Sequence, residues 1–340
     1  MTGTAPIVRR LALIGMGLIG SSIARAARAT GAAQTVVATD SSADVRRRVA
    51  ELGIADVVAA TNAEAVADAD LVVVCVPVGQ CGTVAADIAG HLAPGAIVSD
   101  VGSVKGSVVK DMLPRLPAHV HFVPAHPVAG TEHSGPDAGF AELFVNRWCI
   151  VTPLPNADSA AADRLSAFWR ALGANVETMS VEHHDVVLAI TSHLPHLIAY
   201  TVVGMADDLE KLVTRSEVMK YSAGGFRDFT RIAASDPTMW RDVFLHNKDV
   251  VLDLLGRFNE DLSRLARAIR WDEGDTLFDF FTRTRAIRRG ILEIGQDSPA
   301  ADFGRPHPAK PSDAAREKSG AEPGTGKTSG LSTPARRAPS

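Results

Sequence analysis

An apolar, β-branched run over residues 8–14 passes without a spacer into Gly15-Met16-Gly17-Leu18-Ile19-Gly20, and a helix-forming stretch over 21–29 follows at once. In a strand, glycine turn and helix of this kind, the first glycine permits the tight turn and the second lets backbone approach a pyrophosphate. The third lets helix and strand pack, and the helix N-terminus offers free N–H groups and positive potential. Alone, such a turn also occurs with no ligand. Here a second strand over 35–39 ends at Asp40, twenty residues after Gly20, where a carboxylate can accept both ribose hydroxyls of an adenosine. The spacing predicts a dinucleotide site built from Gly15, Met16, Gly17, Leu18, Ile19, Gly20 and Asp40. A carboxylate at Asp40 repels a 2′-phosphate, so NAD is expected rather than NADP. Ser41, Ser42, Arg46, Arg47 and Arg48 are the features that would favour NADP, although a basic run on a helix is usually a solvated face.

Further β-branched runs at 71–76, 96–100, 121–125 and 148–152 alternate with Ala-rich helical stretches. Continuous rather than alternating apolar strands mean burial on both faces, hence a mostly parallel sheet covered by helices. The expectation is an α/β fold: a Rossmann-like, doubly wound NAD-binding domain over residues 1–180. Beyond it the strand signal stops, and apolar residues recur at three- and four-residue spacing, as in Val250, Val251, Leu254, Leu255 and Phe258. Residues 181–296 are expected to form a second, all-helical domain, and the resemblance drawn below implies that it serves substrate binding and dimerisation. From 297 to 340 prolines recur and only Phe303 and Leu331 are large and apolar. Such a tail cannot offset its ordering entropy and is expected to be disordered.

The 35 basic and 39 acidic residues, net −4, leave no global positive field for a phosphate backbone, so no nucleic-acid partner is expected. No apolar run approaches the ~20 residues of a bilayer span, and no membrane partner is expected. Cys75, Cys81 and Cys149 are too few for a disulfide framework, which fits a reducing, cytoplasmic location.

Two motifs stand at the ends of later strands: Asp100-Val101-Gly102-Ser103-Val104-Lys105-Gly106 and His126-Pro127-Val128-Ala129-Gly130-Thr131-Glu132. Ligands of open α/β sheets bind outside the carboxyl ends of the strands, so Ser103 and His126 are placed for chemistry. Each has a bland alternative, Ser103 as a helix N-cap and His126 as a satisfied structural histidine. Thr191-Ser192-His193-Leu194-Pro195-His196, Phe226-Arg227-Asp228-Phe229-Thr230-Arg231 and Asp236-Pro237-Thr238-Met239-Trp240-Arg241 follow in the same chain order. Together with the glycine loop, this set resembles the prephenate/arogenate dehydrogenase family, the TyrA type, from about Val8 to Gln296. Within it the sequence looks most like the broad cyclohexadienyl dehydrogenases. Neither a chorismate mutase segment before Val8 nor a regulatory domain after Asp297 is expected.

The resemblance implies an NAD-dependent oxidative decarboxylation of prephenate, arogenate or both, in tyrosine biosynthesis, and a homodimer formed through the helical domain. It implies that His126 is the catalytic group and that Ser103 bonds both it and the cofactor. It further implies that Ser192 and His196 meet the substrate and that Arg231 binds a substrate carboxylate. Glu132, Asp228 and Arg231 would form an ionic network gating access, with Trp240 nearby. From the residues alone, Asp228 with Arg231 also reads as a surface pair, Trp240 as a core anchor, and Arg227 as an alternative carboxylate ligand. His183, His184, Asp185, His193 and His196 superficially resemble a metal cluster, but they lack a recognised ligand spacing and no metal is expected. The competing functions are a non-catalytic dinucleotide sensor and a dehydrogenase of the β-hydroxyacid type; the helical lysine motif of the latter is not found.

Overall fold

A computed structural model describes residues 5–131, 133–208, 217 and 220–293. Glu132 and the expected tail after residue 296 lie outside the described residues. Six parallel strands form the main sheet in the order β3-β2-β1-β4-β5-β6: β1 (Val8–Ile14), β2 (Ala33–Thr39), β3 (Val57–Val58), β4 (Leu71–Val74), β5 (Ile97–Asp100) and β6 (His121–Phe122). Ile14 lies opposite both Thr39 and Val74, and Val74 lies opposite Asp100. That register brings the next residues, Gly15, Asp40, Cys75 and Val101, to one sheet edge. The strand order reverses between β1 and β4, the point at which open sheets leave a crevice.

Burial on both faces explains the uninterrupted apolar strands. Leu11, Leu13, Val36 and Val73 face a core shared with Ile23 of α1 (Leu18–Thr30) and with Phe168 and Trp169 of α6 (Ser159–Ala171). Ala12, Ile14, Val72 and Val98 face the opposite core, with Ile88 of α4 (Cys81–Ile88) and with Val108 and Met112 of α5 (Lys105–Met112). The short helices α2 (Ala43–Leu52) and α3 (Asn62–Val66) link β2, β3 and β4.

The expected single sheet is in fact two. Pairing stops after Phe122, and the chain re-forms as β7 (Ala125–Pro127) in a small sheet β7-β8-β9 with β8 (Trp148–Val151) and β9 (Asn175–Thr178). β7 runs antiparallel to β8, with His126 opposite Ile150, while β9 returns parallel to β8 through α6. Pro124 offers no N–H with which to continue the parallel ladder. The two-residue β3 and the largely exposed β9 carry too little apolar pattern to be seen in the sequence.

Helices follow: α7 (Val181–Leu188), a π-helical turn (Ala189–His193), α8 (Leu194–Asp208), α9 (Gly224–Thr230), α10 (Pro237–His246) and α11 (Lys248–Arg270). Asp236 caps α10 by accepting from the Met239 N–H at 2.8 Å, with Pro237 in the first turn. The helical run Val181–Asp208 is by length and composition apolar enough to cross a membrane, and 22% of its apolar window is buried. Its polar residues His184, Asp185 and His193 are nevertheless buried within the fold, which ties the helix into the protein. From Ser263 the chain forms a separate compact unit. It contains the end of α11 and α12 (Gly274–Glu293), with Trp271, Phe278, Phe281 and Ile287 exposed.

Two of the three glycines of the turn leave no room for a side chain. Gly15 has φ +95°, and a Cβ there would lie 2.6 Å from the Cys75 carbonyl oxygen. A Cβ on Gly20 would lie 2.1 Å from the Gly15 carbonyl oxygen, whereas one on Gly17 would meet nothing within 4 Å. Both contacts are to backbone and cannot relax cheaply. Gly20→Ala is therefore expected to cost about 1–3 kcal/mol of stability and Gly17→Ala almost none, as read from urea unfolding of the ligand-free protein.

Candidate functional site

Gly17 occupies the N-cap of α1 and offers no capping side chain, so the first N–H groups of the helix stay open toward the sheet edge. Asp40, half-buried, closes one side. Its Oδ2 accepts from the Met16 N–H at 2.8 Å and its Oδ1 from the Ser42 N–H at 2.9 Å. The carboxylate thus braces the glycine loop, a role its spacing did not disclose, and each oxygen keeps lone-pair capacity for a further donor. The nearby arginines are already engaged. Arg46 Nη1 donates to the carbonyls of Asp40 (2.6 Å) and Ser41 (3.2 Å), Arg47 pairs with Asp44, and Arg48 pairs with Asp137 and Glu51. The open helix end, the space above Gly17 and the acidic residue fit a dinucleotide with a free 2′-hydroxyl.

On the neighbouring strand the Asp100-to-Gly106 motif is built around a buried ion pair. Lys105 and Asp100 are both fully buried. The ammonium donates to Asp100 Oδ2 and, at 2.6 Å, to the Ala125 carbonyl beside His126. The Gly102 N–H donates to the same Asp100 oxygen at 2.7 Å. These bonds fix the loop that presents Ser103, which is half-buried. The N-cap reading of Ser103 fails, because Val104 holds that position without a side-chain bond. The open amides of Lys105 and Gly106 donate instead to Asp185 Oδ1 (2.7 Å) and Oδ2 (2.8 Å), a carboxylate from α7. A Cβ on Gly106 would sit 2.9 Å from that carboxylate, which accounts for glycine there.

His126 on β7 is 8% exposed, and its Nδ1 lies 2.9 Å from His184 Nε2. The rings meet edge to face with centroids 5.1 Å apart. His184 is fully buried, with Nδ1 2.8 Å from Asp185 Oδ1. Burial, reinforced by His184 and the Lys105 charge, pushes the His126 pKa well below the usual imidazole value. Burial also lowers that of His184, against the pull of Asp185.

The line of contacts continues. Asn247 Nδ2 donates to the Asp185 carbonyl at 3.0 Å and lies 3.2 Å from Nδ1 of buried His193, whose pKa burial pushes down to about 4. His193 meets Trp240 edge to face, and His196 stacks on Trp240 with centroids 3.7 Å apart and planes 24° from parallel. His196 Nδ1 is held by the Ser192 carbonyl at 2.8 Å. Burial lowers the His196 pKa, and the Arg231 charge adds to the effect, so Arg231 also borders this region. Trp240 is buried, as its core-anchor reading expects. Asp228 is exposed and pairs with Arg227 at 3.0 Å. Glu132, the third member of the expected gating network, is outside the described residues.

Sequence reasoning missed the roles of His184, Asp185, Asn247 and Lys105. It noticed the His-His-Asp run but weighed it as metal chemistry. Among the described residues no group of three or more His, Cys, Asp or Glu side chains is arranged to hold a metal.

Comparison with known proteins gives a consistent picture. Residues 23–178 match the family described as prephenate dehydrogenase, nucleotide-binding domain, and residues 180–283 match prephenate dehydrogenase, dimerization domain. The cyclohexadienyl dehydrogenase of Zymomonas mobilis is 46% identical over 285 residues, which cover 84% of this chain and 97% of that protein. The prephenate dehydrogenase of Bacillus subtilis is 34% identical over 280 residues, 82% of this chain and 75% of that protein. Among solved structures, prephenate dehydrogenase from A. aeolicus in complex with hydroxyphenyl propionate and NAD+ is similar with a TM-score of 0.77 and 32% identity. That similarity covers 86% of this chain and 100% of that one.

Removing one partner of the buried pair strands a charge in the core. Lys105→Met is expected to cost about 3–5 kcal/mol in denaturant unfolding, and the double variant Asp100→Asn with Lys105→Met to recover part of that loss.

Proposed function

The chain belongs to the prephenate dehydrogenase family, and from that premise we propose how its residues divide the work of an NAD-dependent oxidoreductase acting on prephenate, arogenate or both, in tyrosine biosynthesis. We propose that both substrates are accepted, in keeping with the 46% identity to the cyclohexadienyl dehydrogenase of Zymomonas mobilis. The observation that carries the assignment of roles is His126: a buried imidazole held on one ring nitrogen by His184, on β7 of the small sheet, whose Ala125 carbonyl is bonded by Lys105 from the loop that follows β5.

Bound at the glycine loop, NAD supplies the hydride acceptor. Hydride departure from the hydroxyl-bearing ring carbon would leave a cationic oxygenated centre unless the hydroxyl proton also leaves. In our reading His126 takes that proton on the ring nitrogen turned away from His184. The bond from ring to carboxylate then breaks, its electron pair completes the aromatic ring, and carbon dioxide departs. That aromatisation drives the reaction, so the protein needs chiefly to align the C–H and polarise the O–H. Ser103 would bond His126 and cofactor, Ser192 and His196 would meet the substrate, and Arg231 would bind a carboxylate through its planar fork. Glu132 and Asp228 would help gate access, with Trp240 backing His196. The dimerization domain makes the protein a homodimer through its helical region, which fits the apolar surface left exposed at Ile190, Leu245 and Leu252.

The test is NADH formation by purified protein given prephenate or arogenate, each with NAD and NADP. Turnover of both substrates with NAD is expected; silence with all four pairs would favour the sensor reading. His126→Asn is expected to lower kcat by about 10²-fold or more with little change in NAD binding by fluorescence titration.

Because the His126 pKa is depressed, its basic form persists at pH values where a free imidazole is already protonated. Activity should be lost only as pH falls through that lowered value. The acid limb of the kcat/KM profile is therefore expected well below pH 6.5, the ordinary value.

A further inference from the structure

The bonds behind His126 specify which of its nitrogens carries hydrogen. Asp185 receives the N–H groups of Lys105 and Gly106 and lies 2.8 Å from His184 Nδ1. An ionised carboxylate only accepts, so His184 Nδ1 must bear the proton in that bond. Neutral His184 then has a bare Nε2, which can only accept. Its neighbour at 2.9 Å, His126 Nδ1, must therefore donate. A neutral His126 with its proton on Nδ1 has an unprotonated Nε2.

We propose that His184, anchored by Asp185, is a positioning residue that fixes the tautomer of His126 and leaves Nε2 as the proton acceptor. The inference deepens the reading of His126 as the base and rests on it. A neutral imidazole without such a partner leaves the choice of nitrogen to its surroundings, and a proton on Nε2 would oppose a donor hydroxyl where an acceptor is needed. The other charged or titratable groups near His126 do not compete. Lys105 is a donor whose ammonium is taken up by Asp100 and Ala125, Asp100 is paired with it, and His193 is held by Asn247. Once His126 gains a proton, its Nδ1–H bond to His184 becomes charge-assisted, with the negative Asp185 behind it.

Nitrogen-15 NMR of histidine-labelled, ligand-free protein near neutral pH reads the tautomer without reference to turnover. The expected spectrum shows His126 protonated on Nδ1 and bare on Nε2. Proton on Nε2 instead would overturn the proposal while leaving the assignment of His126 as base to be judged by His126→Asn. His184→Leu is expected to lose the Nδ1–H tautomer and to lower kcat by about 10²-fold, with KM for NAD changed by no more than about twofold. His184→Gln places an amide oxygen where Nε2 accepted, and should restore the tautomer and at least about tenfold of the lost kcat. A kcat loss in His184→Leu with the tautomer retained would mean that His184 only supports packing, and would sink the idea.

Discussion

The carboxylate of Asp185 is the point to which the Ser103 loop and the buried histidine pair are both tied. It accepts two backbone amides at the start of α5 and holds His184 on the other side. Four open amides and a positive end potential are ordinary at a helix N-terminus, and a carboxylate is the group best suited to meet them. Here the carboxylate comes from 80 residues further along the chain. The loop carrying Ser103 and the strand carrying His126 are therefore referred to one shared anchor, and neither can shift without breaking a charge-assisted bond.

Around that anchor the protein buries charge in a balanced way. Among the described residues Lys105 is the one Lys or Arg deep in the core, and it is neutralised by Asp100 and bonded to the backbone of β7. Such a pair adds little net stability compared with apolar residues of the same size. What it adds is a fixed positive charge a short distance from His126, which favours the neutral imidazole. Burial of the histidines works in the same direction. The sequence-level rule that buried charges are costly is violated where the protein gains a defined protonation state from it.

Much of this was legible before the structure. The glycine loop, Asp40 and the edge position of Ser103 follow from strand order and spacing, because a parallel sheet brings the ends of its strands together whatever the loops do. His126 comes near them by another route, on β7 of the small sheet, where Lys105 bonds the neighbouring Ala125 carbonyl. The second sheet was not legible, since the break at Pro124 lies inside an apolar run that reads as one strand. His184 and Asp185 were not legible as site residues either. They sit in the first turns of an amphipathic helix where polar residues are common, and their partners lie 58 and 80 residues away. Local pattern carries no information about contacts of that separation. Asn247 is hidden for the same reason, and the alternative of Ser103 as a helix cap fails because the group that meets the open amides comes from a distance.

The π-helical turn at Ala189–His193 sits between the two halves of this arrangement. Upstream lie His184 and Asp185; downstream lies His196, stacked on Trp240. A π turn holds one residue more than the α-helix it interrupts, and takes it up within a single widened turn, so the helix on either side keeps its phase. The turn therefore acts as a slack link, absorbing an extra residue without rotating the face that carries His184 away from the face that carries His196. A chain shortened by one residue within it would run on as a regular α-helix with both faces close to their present directions. What it would lose is the locally widened backbone that now lies between the two.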